Sequence, residues 1–175
     1  GSEQEFDGAA YAKRGVILVT INYRLNVYGF LAHPWLDEES GRGISGNYGI
    51  LDQIAALQWV SEHIAAFGGD PDNITIFGQS AGAMSVQTLL SSELTGNRIA
   101  KAILQSGGSY RVGVHRDMPL REAEEYGERF VELTGAKDLA GLRAMSTQEL
   151  EKPLGQMMAE AFTSGKGLFF VPNID

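Results

Sequence analysis

Ile74-Thr75-Ile76-Phe77-Gly78-Gln79-Ser80-Ala81-Gly82-Ala83 decides how this chain is read, because an apolar, β-prone segment runs into G-x-S-x-G and then into small helix-forming residues. In that pattern a strand reverses sharply into a helix, which lifts the serine side chain above the sheet on a strained backbone. Gly78 and Gly82 read as the positions where a Cβ would block the approach of strand and helix. Alone the pattern is weak, since Gly makes up 22 of the 175 residues, so its surroundings decide. Pro71-Asp72-Asn73 is a turn signal directly before the run, and residues 81–90 contain no Pro and read as a helix. Strand, turn and helix therefore follow in the required order, and Ser80 is a candidate nucleophile. The competing reading is an ordinary glycine-lined turn with a structural serine.

Outward from the elbow, Val16-Ile17-Leu18-Val19-Thr20-Ile21-Asn22 is a continuous β-branched run, expected to be a strand buried on both faces of a parallel sheet. Residues 34–49 are crowded with Asp37, Ser40, Gly41, Gly43, Ser45, Gly46 and Asn47 and read as one long loop, a kind of segment that often carries function. Residues 50–67 lack a breaker and carry Ile50, Leu51, Ile54, Leu57, Val60 and Ile64 at helical separations before Gly68-Gly69, so a well-buried helix is expected. Residues 99–105 form another short apolar strand candidate, closed by Ser106-Gly107-Gly108. In residues 119–134, Leu120, Ala123, Gly127, Phe130 and Val131 share one helical face, with acids opposite and Gly135 as the stop. Leu139, Leu142 and Met145 indicate a second short helix, and Ser146 to Glu149 a capping box opening a third. Strands separated by helices give an α/β fold with a mostly parallel sheet. Residues 1–110 would carry the sheet and elbow of a single domain, and 111–175 a mainly helical, cap-like region.

Composition removes several function classes. No apolar stretch approaches the ~20 residues of a membrane helix. A net charge of −8 with scattered Lys and Arg disfavours nucleic acid, which requires concentrated positive charge. No cysteine occurs, which removes disulfides, a cysteine nucleophile and thiolate metal sites without assigning a compartment. Neither a G-x-x-x-x-G-K phosphate loop nor a dinucleotide fingerprint is found. Metal ligation lacks paired His or Cys, and Asp37-Glu38-Glu39 reads as a solvated loop face, so no metal and no cofactor are expected. Asn73-Ile74-Thr75 satisfies the glycosylation triplet but enters a strand. Tyr28, Phe30 and Trp35 could border a pocket or simply anchor a loop.

Asn22-Tyr23-Arg24-Leu25, Gly46-Asn47-Tyr48-Gly49 with Leu51-Asp52-Gln53, Phe67-Gly68-Gly69-Asp70-Pro71, Gly78-Gln79-Ser80-Ala81-Gly82 and Gln105-Ser106-Gly107 occur in register. In that order and spacing the chain resembles the type B carboxylesterases, α/β-hydrolases that include para-nitrobenzyl-type esterases and cholinesterases. The likeness extends to Leu142-Arg143-Ala144-Met145-Ser146 and, more weakly, to Phe170-Val171-Pro172-Asn173-Ile174-Asp175.

The resemblance implies a carboxylic ester hydrolase in which Ser80 attacks the carbonyl of a small-molecule ester and forms an acyl-enzyme that water cleaves. Ala81 would give its backbone N–H to the oxyanion hole, Gly78, Gln79 and Gly82 would shape the elbow, and Ser85 would be a supporting hydrogen-bonding group or a plain helix serine. The family's glycine-rich oxyanion loop is not found ahead of the elbow. The acid and base follow the nucleophile in this fold, and the histidine after Ser80 is His115, too early for the family's base. His33 and His63 precede the serine and read as structural. The chain therefore reads as a central part of a longer enzyme, expected to lack ester hydrolysis by itself and to need the remainder of the catalytic domain. Two alternatives remain open: a catalytically silent cholinesterase-like protein-interaction domain, and an amidase using the same nucleophile.

Overall fold

The computed structural model describes residues 4–107, 117–165 and 168–175. In chain order its helices are α1 (Ala9–Ala12), α2 (Asn26–Phe30), α3 (Pro34–Ser40), α4 (Tyr48–His63), α5 (Ala81–Ser91), α6 (Leu120–Thr134), α7 (Leu139–Ala144) and α8 (Thr147–Ser164), with strands β1 (Thr75–Gln79) and β2 (Lys101–Gln105) on either side of α5. The chain divides into two compact units, Gly1–Tyr23 with Ile50–Ser109 and Arg24–Gly49 with Tyr110–Asp175.

The first unit is built around a parallel pair. β1 and β2 run in register from Thr75 opposite Lys101 to Gln79 opposite Gln105. Because parallel neighbours need a crossover, the intervening α5 lies against both strands. Ala83, Val86 and Leu89, at helical spacing, are its buried residues. Before β1 the Asp70 carboxylate accepts the Asp72 N–H at 2.9 Å, the side-chain turn that Asp-Pro-Asp invites. Asn73, the head of the glycosylation triplet, accepts the Lys101 ammonium at 2.6 Å.

Two expectations for this unit are corrected. Residues 16–22 belong to no assigned strand, and Val16, Ile17 and Val19 are exposed. β-branched residues set a preference for extended backbone, but a ladder also requires a partner edge, which the local run does not encode. The helix expected over 50–67 forms, as α4 followed by a tighter turn at Ile64–Phe67, but only one stripe is buried: Ile50, Gln53, Leu57 and Ile64. Leu51, Trp59 and Phe67 are exposed, because its apolar residues occupy more of the circumference than the described neighbours cover.

In the second unit the long loop expected over 34–49 starts instead as a helix. His33 is its N-cap, with the ring Nδ1 accepting the Trp35 N–H at 3.1 Å, and Pro34 stands in the first turn where no N–H is needed. Gly41, at φ 64°, ends it in the left-handed conformation. The turn-formers concentrated in the sequence are thus largely the terminus of α3 and the short loop after it. On α3 Asp37 is buried, which corrects the solvated face expected for Asp37-Glu38-Glu39, while Glu39 pairs with Arg143 at 2.7 Å.

α6 buries Ala123, Gly127, Phe130 and Val131, the face read from the sequence, and packs on α8. Gly127 is required there, since a Cβ would run into the Ala32 carbonyl oxygen. Ser146 and Glu149 form the capping box that opens α8. The core gathers Val27, Leu31, Leu36, Phe130, Val131, Leu142, Met157, Ala161 and Phe169. Phe130→Ala is expected to destabilise this core by about 3–5 kcal/mol, read as a lower midpoint in urea unfolding with an unchanged m-value.

Candidate active site

Ser80 lies where β1 ends and α5 begins, with φ 53° and ψ −118°. Few non-glycine residues take that backbone, and it persists only where neighbours over-determine it. They do so on both sides. The Ser80 N–H donates to the Gln105 carbonyl at 2.9 Å, extending the ladder one step past the strand, while the Ser80 carbonyl accepts from Ala83 at 2.9 Å and Met84 at 3.1 Å to start the helix. A serine at a helix N-cap ordinarily spends its hydroxyl on the first turn. Ser80 makes no such side-chain bond and is exposed, so its hydroxyl is not spent on capping the helix it opens.

Gly78 fulfils its expected part, since a Cβ there would collide with the carbonyl of Gly82 and lie 2.9 Å from the Ala83 nitrogen. Gly82 does not: a Cβ built on it meets nothing within 4 Å among the described residues. It is the backbone of Gly82, not its missing side chain, that needs room. Gln79 is exposed at the end of β1, in register with Gln105. Ala81 is the first residue of α5, so its N–H has no acceptor within the helix and points into the region of the helix's positive end. Ser85 sits one turn further on, where its hydroxyl accepts the Gln53 amide at 3.3 Å. Gln53 is buried, and this bond links α4 to the elbow helix.

Ser106 and Gly107 stand in a quoted motif, but the motif does not show that they lie at the elbow. Gly107 follows β2, and a Cβ on it would stand 2.6 Å from the Ser80 carbonyl oxygen and 3.0 Å from the Ala83 Cβ. Ser106, just before it, has φ 53°, the same sign as Ser80. The Ser-Gly pair at a strand end is the available signal, but Ser80, which Gly107 faces, lies 27 positions before that glycine.

Among the described residues no histidine or carboxylate hydrogen-bonds Ser80. His63 is exposed and stacked on Trp59 with ring centroids 4.8 Å apart, not buried within its helix. His33 caps α3, and burial lowers its pKa. His115 lies outside the described residues. Phe30 is buried and Trp35 packs against the core of the second unit, which gives both a packing role, while Tyr28 is exposed. A cavity of about 330 Å³ lined by Tyr126, Arg129, Glu160, Thr163, Ser164 and Phe169 belongs wholly to the second unit.

The model of the carboxylesterase family matches residues 1–175. The chain belongs to the carboxylesterase family. Within that family it is similar to the fumonisin B1 esterase of Sphingopyxis macrogoltabida, 46% identical over 152 residues covering 87% of this chain and 26% of that protein. It is also similar to the para-nitrobenzyl esterase of Bacillus subtilis strain 168, 40% identical over 178 residues, 100% of this chain and 34% of that protein. The solved structure of a thermophilic PNB esterase superposes with a TM-score of 0.86 at 39% identity, over 100% of this chain and 35% of that one. The fold is that of the α/β-hydrolase esterases, and the chain spans about a quarter to a third of the length of these carboxylesterase-family relatives.

Gly78→Ala is expected to force strand and helix apart and cost about 1–3 kcal/mol in a denaturant titration, because its Cβ meets backbone rather than a side chain that can swing away.

Proposed function

We propose that Ser80 is the nucleophile of a serine carboxylesterase. The carrying observation is the combination at one residue of a strained φ of 53°, an exposed side chain and a hydroxyl not spent on capping the helix it opens. In the reaction Ser80 Oγ adds to the carbonyl carbon of a carboxylic ester. The tetrahedral centre then collapses, expelling the alcohol and leaving an acyl-enzyme, and water cleaves the acyl group in a second addition. The carbonyl oxygen becomes negatively charged at each addition. The Ala81 N–H, with no intrahelical acceptor, is the donor this chain offers to that charge, and loss of one such donor typically lowers turnover by about 10²–10³. The positive end of α5 lies on the same side and favours the same charge.

Gly78 and Gln79 form the strand side of the elbow, Gly82 the helix side, and Ser85 steadies the helix through Gln53. In this reading the chain is the central part of one catalytic domain, residues 1–110 carrying sheet and elbow and 111–175 the mainly helical part. The substrate is a small-molecule carboxylic ester, and no helix among the described residues is long and apolar enough to cross a membrane.

A fluorophosphonate probe is expected to label Ser80 in the complete catalytic domain of which this chain is the central part, as located by peptide mass mapping. Ser80→Ala should abolish labelling and reduce p-nitrophenyl ester turnover by about 10⁴-fold or more. Absence of labelling in the folded protein would favour the interaction-domain reading, and faster turnover of matched amides than esters would favour an amidase.

A further inference from the structure

The end of β2 meets Ser80 at both of its backbone polar groups. The Ser80 N–H donates to the Gln105 carbonyl at 2.9 Å. The Ser80 carbonyl fills the space that a side chain on Gly107 would take, since a Cβ there would stand 2.6 Å from the oxygen and 3.4 Å from the carbonyl carbon. The φ of Gly107 lies outside the left-handed region, so glycine is needed at this position for room and not for backbone freedom. Between the two contacts Ser106, at φ 53°, turns the chain back toward the elbow.

The carbonyl that Gly107 accommodates is one edge of a peptide unit whose other edge is the Ala81 N–H. That unit is planar and trans, so its oxygen and its amide hydrogen point to opposite sides and can turn only together. From the helix side the oxygen is held by the N–H groups of Ala83 at 2.9 Å and Met84 at 3.1 Å. From the strand side it is bounded by Gly107. A side chain there would press on backbone, which cannot swing away. Relief by tilting the peptide would re-aim the Ala81 N–H, and relief by withdrawing Gly107 would pull the Gln105 carbonyl from the Ser80 N–H that it holds.

We infer that Gly107 is a positioning residue for the oxyanion donor: the room left by its missing side chain sets the tilt of the Ser80–Ala81 peptide and with it the direction of the Ala81 N–H. The inference rests on Ser80 being the nucleophile. Gly107 touches no reacting atom and acts through the peptide it bounds. A donor aimed at the developing charge stabilises the tetrahedral centre more than the bound ester, so its misdirection lowers turnover and leaves ground-state binding largely intact.

The test compares wild type and Gly107→Ala in the complete catalytic domain, with competent sites counted by fluorophosphonate labelling so that turnover is read per folded site. Gly107→Ala is expected to lower kcat per labelled site about 10- to 100-fold while KM changes by less than about threefold. Affinity for a trifluoromethyl ketone, which adds to a serine and carries a tetrahedral oxyanion, should fall in step with kcat/KM. A purely structural glycine would reduce the number of labelled sites and leave each one at wild-type speed, which would overturn the inference while Ser80 stands as nucleophile. A second variant separates the two collisions, because the added Cβ also comes within 3.0 Å of the Ala83 Cβ. Ala83→Gly in the Gly107→Ala background removes that contact alone, so kcat should stay low, and its recovery would overturn the inference. An unlabelled wild-type domain would overturn the nucleophile reading and this inference with it. Should neither variant fold, the Ala81 amide proton decides in wild type: a downfield shift when the trifluoromethyl ketone adds would sustain the inference, and an unmoved resonance would overturn it.

Discussion

The backbone of Ser80 is the constraint on which the first unit depends. Its N–H is committed to the Gln105 carbonyl and its own carbonyl to the first turn of α5, so one residue belongs at once to a sheet ladder and to a helix. Those regular structures demand different dihedral angles, and the mismatch is absorbed at φ 53°. Close approach of strand to helix is what lets both commitments hold, and that approach requires the bare Cα of Gly78. Gly107 serves the same end from the neighbouring strand by leaving room for the Ser80 carbonyl. The bend at Ser80 and the packing of the strand pair are therefore a single geometric solution.

The second unit is organised by polar groups that find partners inside it. Asn47 and Asn173, 126 positions apart, exchange bonds: the Asn173 N–H reaches the Asn47 side-chain oxygen at 3.0 Å, and the Asn47 amide reaches the Asn173 carbonyl at 3.0 Å. The Asn173 amide continues to the Ser45 carbonyl at 3.0 Å, and Ser45 Oγ accepts the His33 N–H at 3.1 Å. A loop of small polar residues thereby satisfies buried backbone without a sheet. It also explains Gly46, whose Cβ would strike the Asn173 amide and whose φ is 95°.

Legibility in the sequence followed the range of the interaction. The elbow, the buried face of α6, the Gly135 stop and the Ser146-Glu149 capping box are local patterns, readable because their partners lie within a few residues. Residues 16–22 were misread because a ladder depends on a neighbour that no local pattern names. α3 is hidden in the sequence because Ser40, Gly41 and Gly43 carry loop signals, although Gly41 terminates the helix and a histidine, not a usual capping residue, starts it. Gln53 and Gly107 were present in quoted motifs, yet their functions lie in contacts with Ser85 and Ser80 that only the folded chain supplies.

Strain is concentrated where chemistry is expected. Three non-glycine residues among those described have positive φ, namely Asn26, Ser80 and Ser106, and two of these sit at the carboxyl ends of the two paired strands. Open α/β sheets bind ligands at that end, where strands stop and helices begin. Each such residue costs about 1–3 kcal/mol against a total stability of only about 5–15 kcal/mol for a typical domain, so two at one edge are a substantial charge on the fold. A structural serine in an ordinary turn would relax to negative φ and cap its helix, recovering both the strain and a hydrogen bond. Ser80 does neither, and its backbone bonds to Gln105, Ala83 and Met84 hold the bend in place. Retention of that strain is the physical argument that supports the proposed catalytic role of the elbow over a packing role.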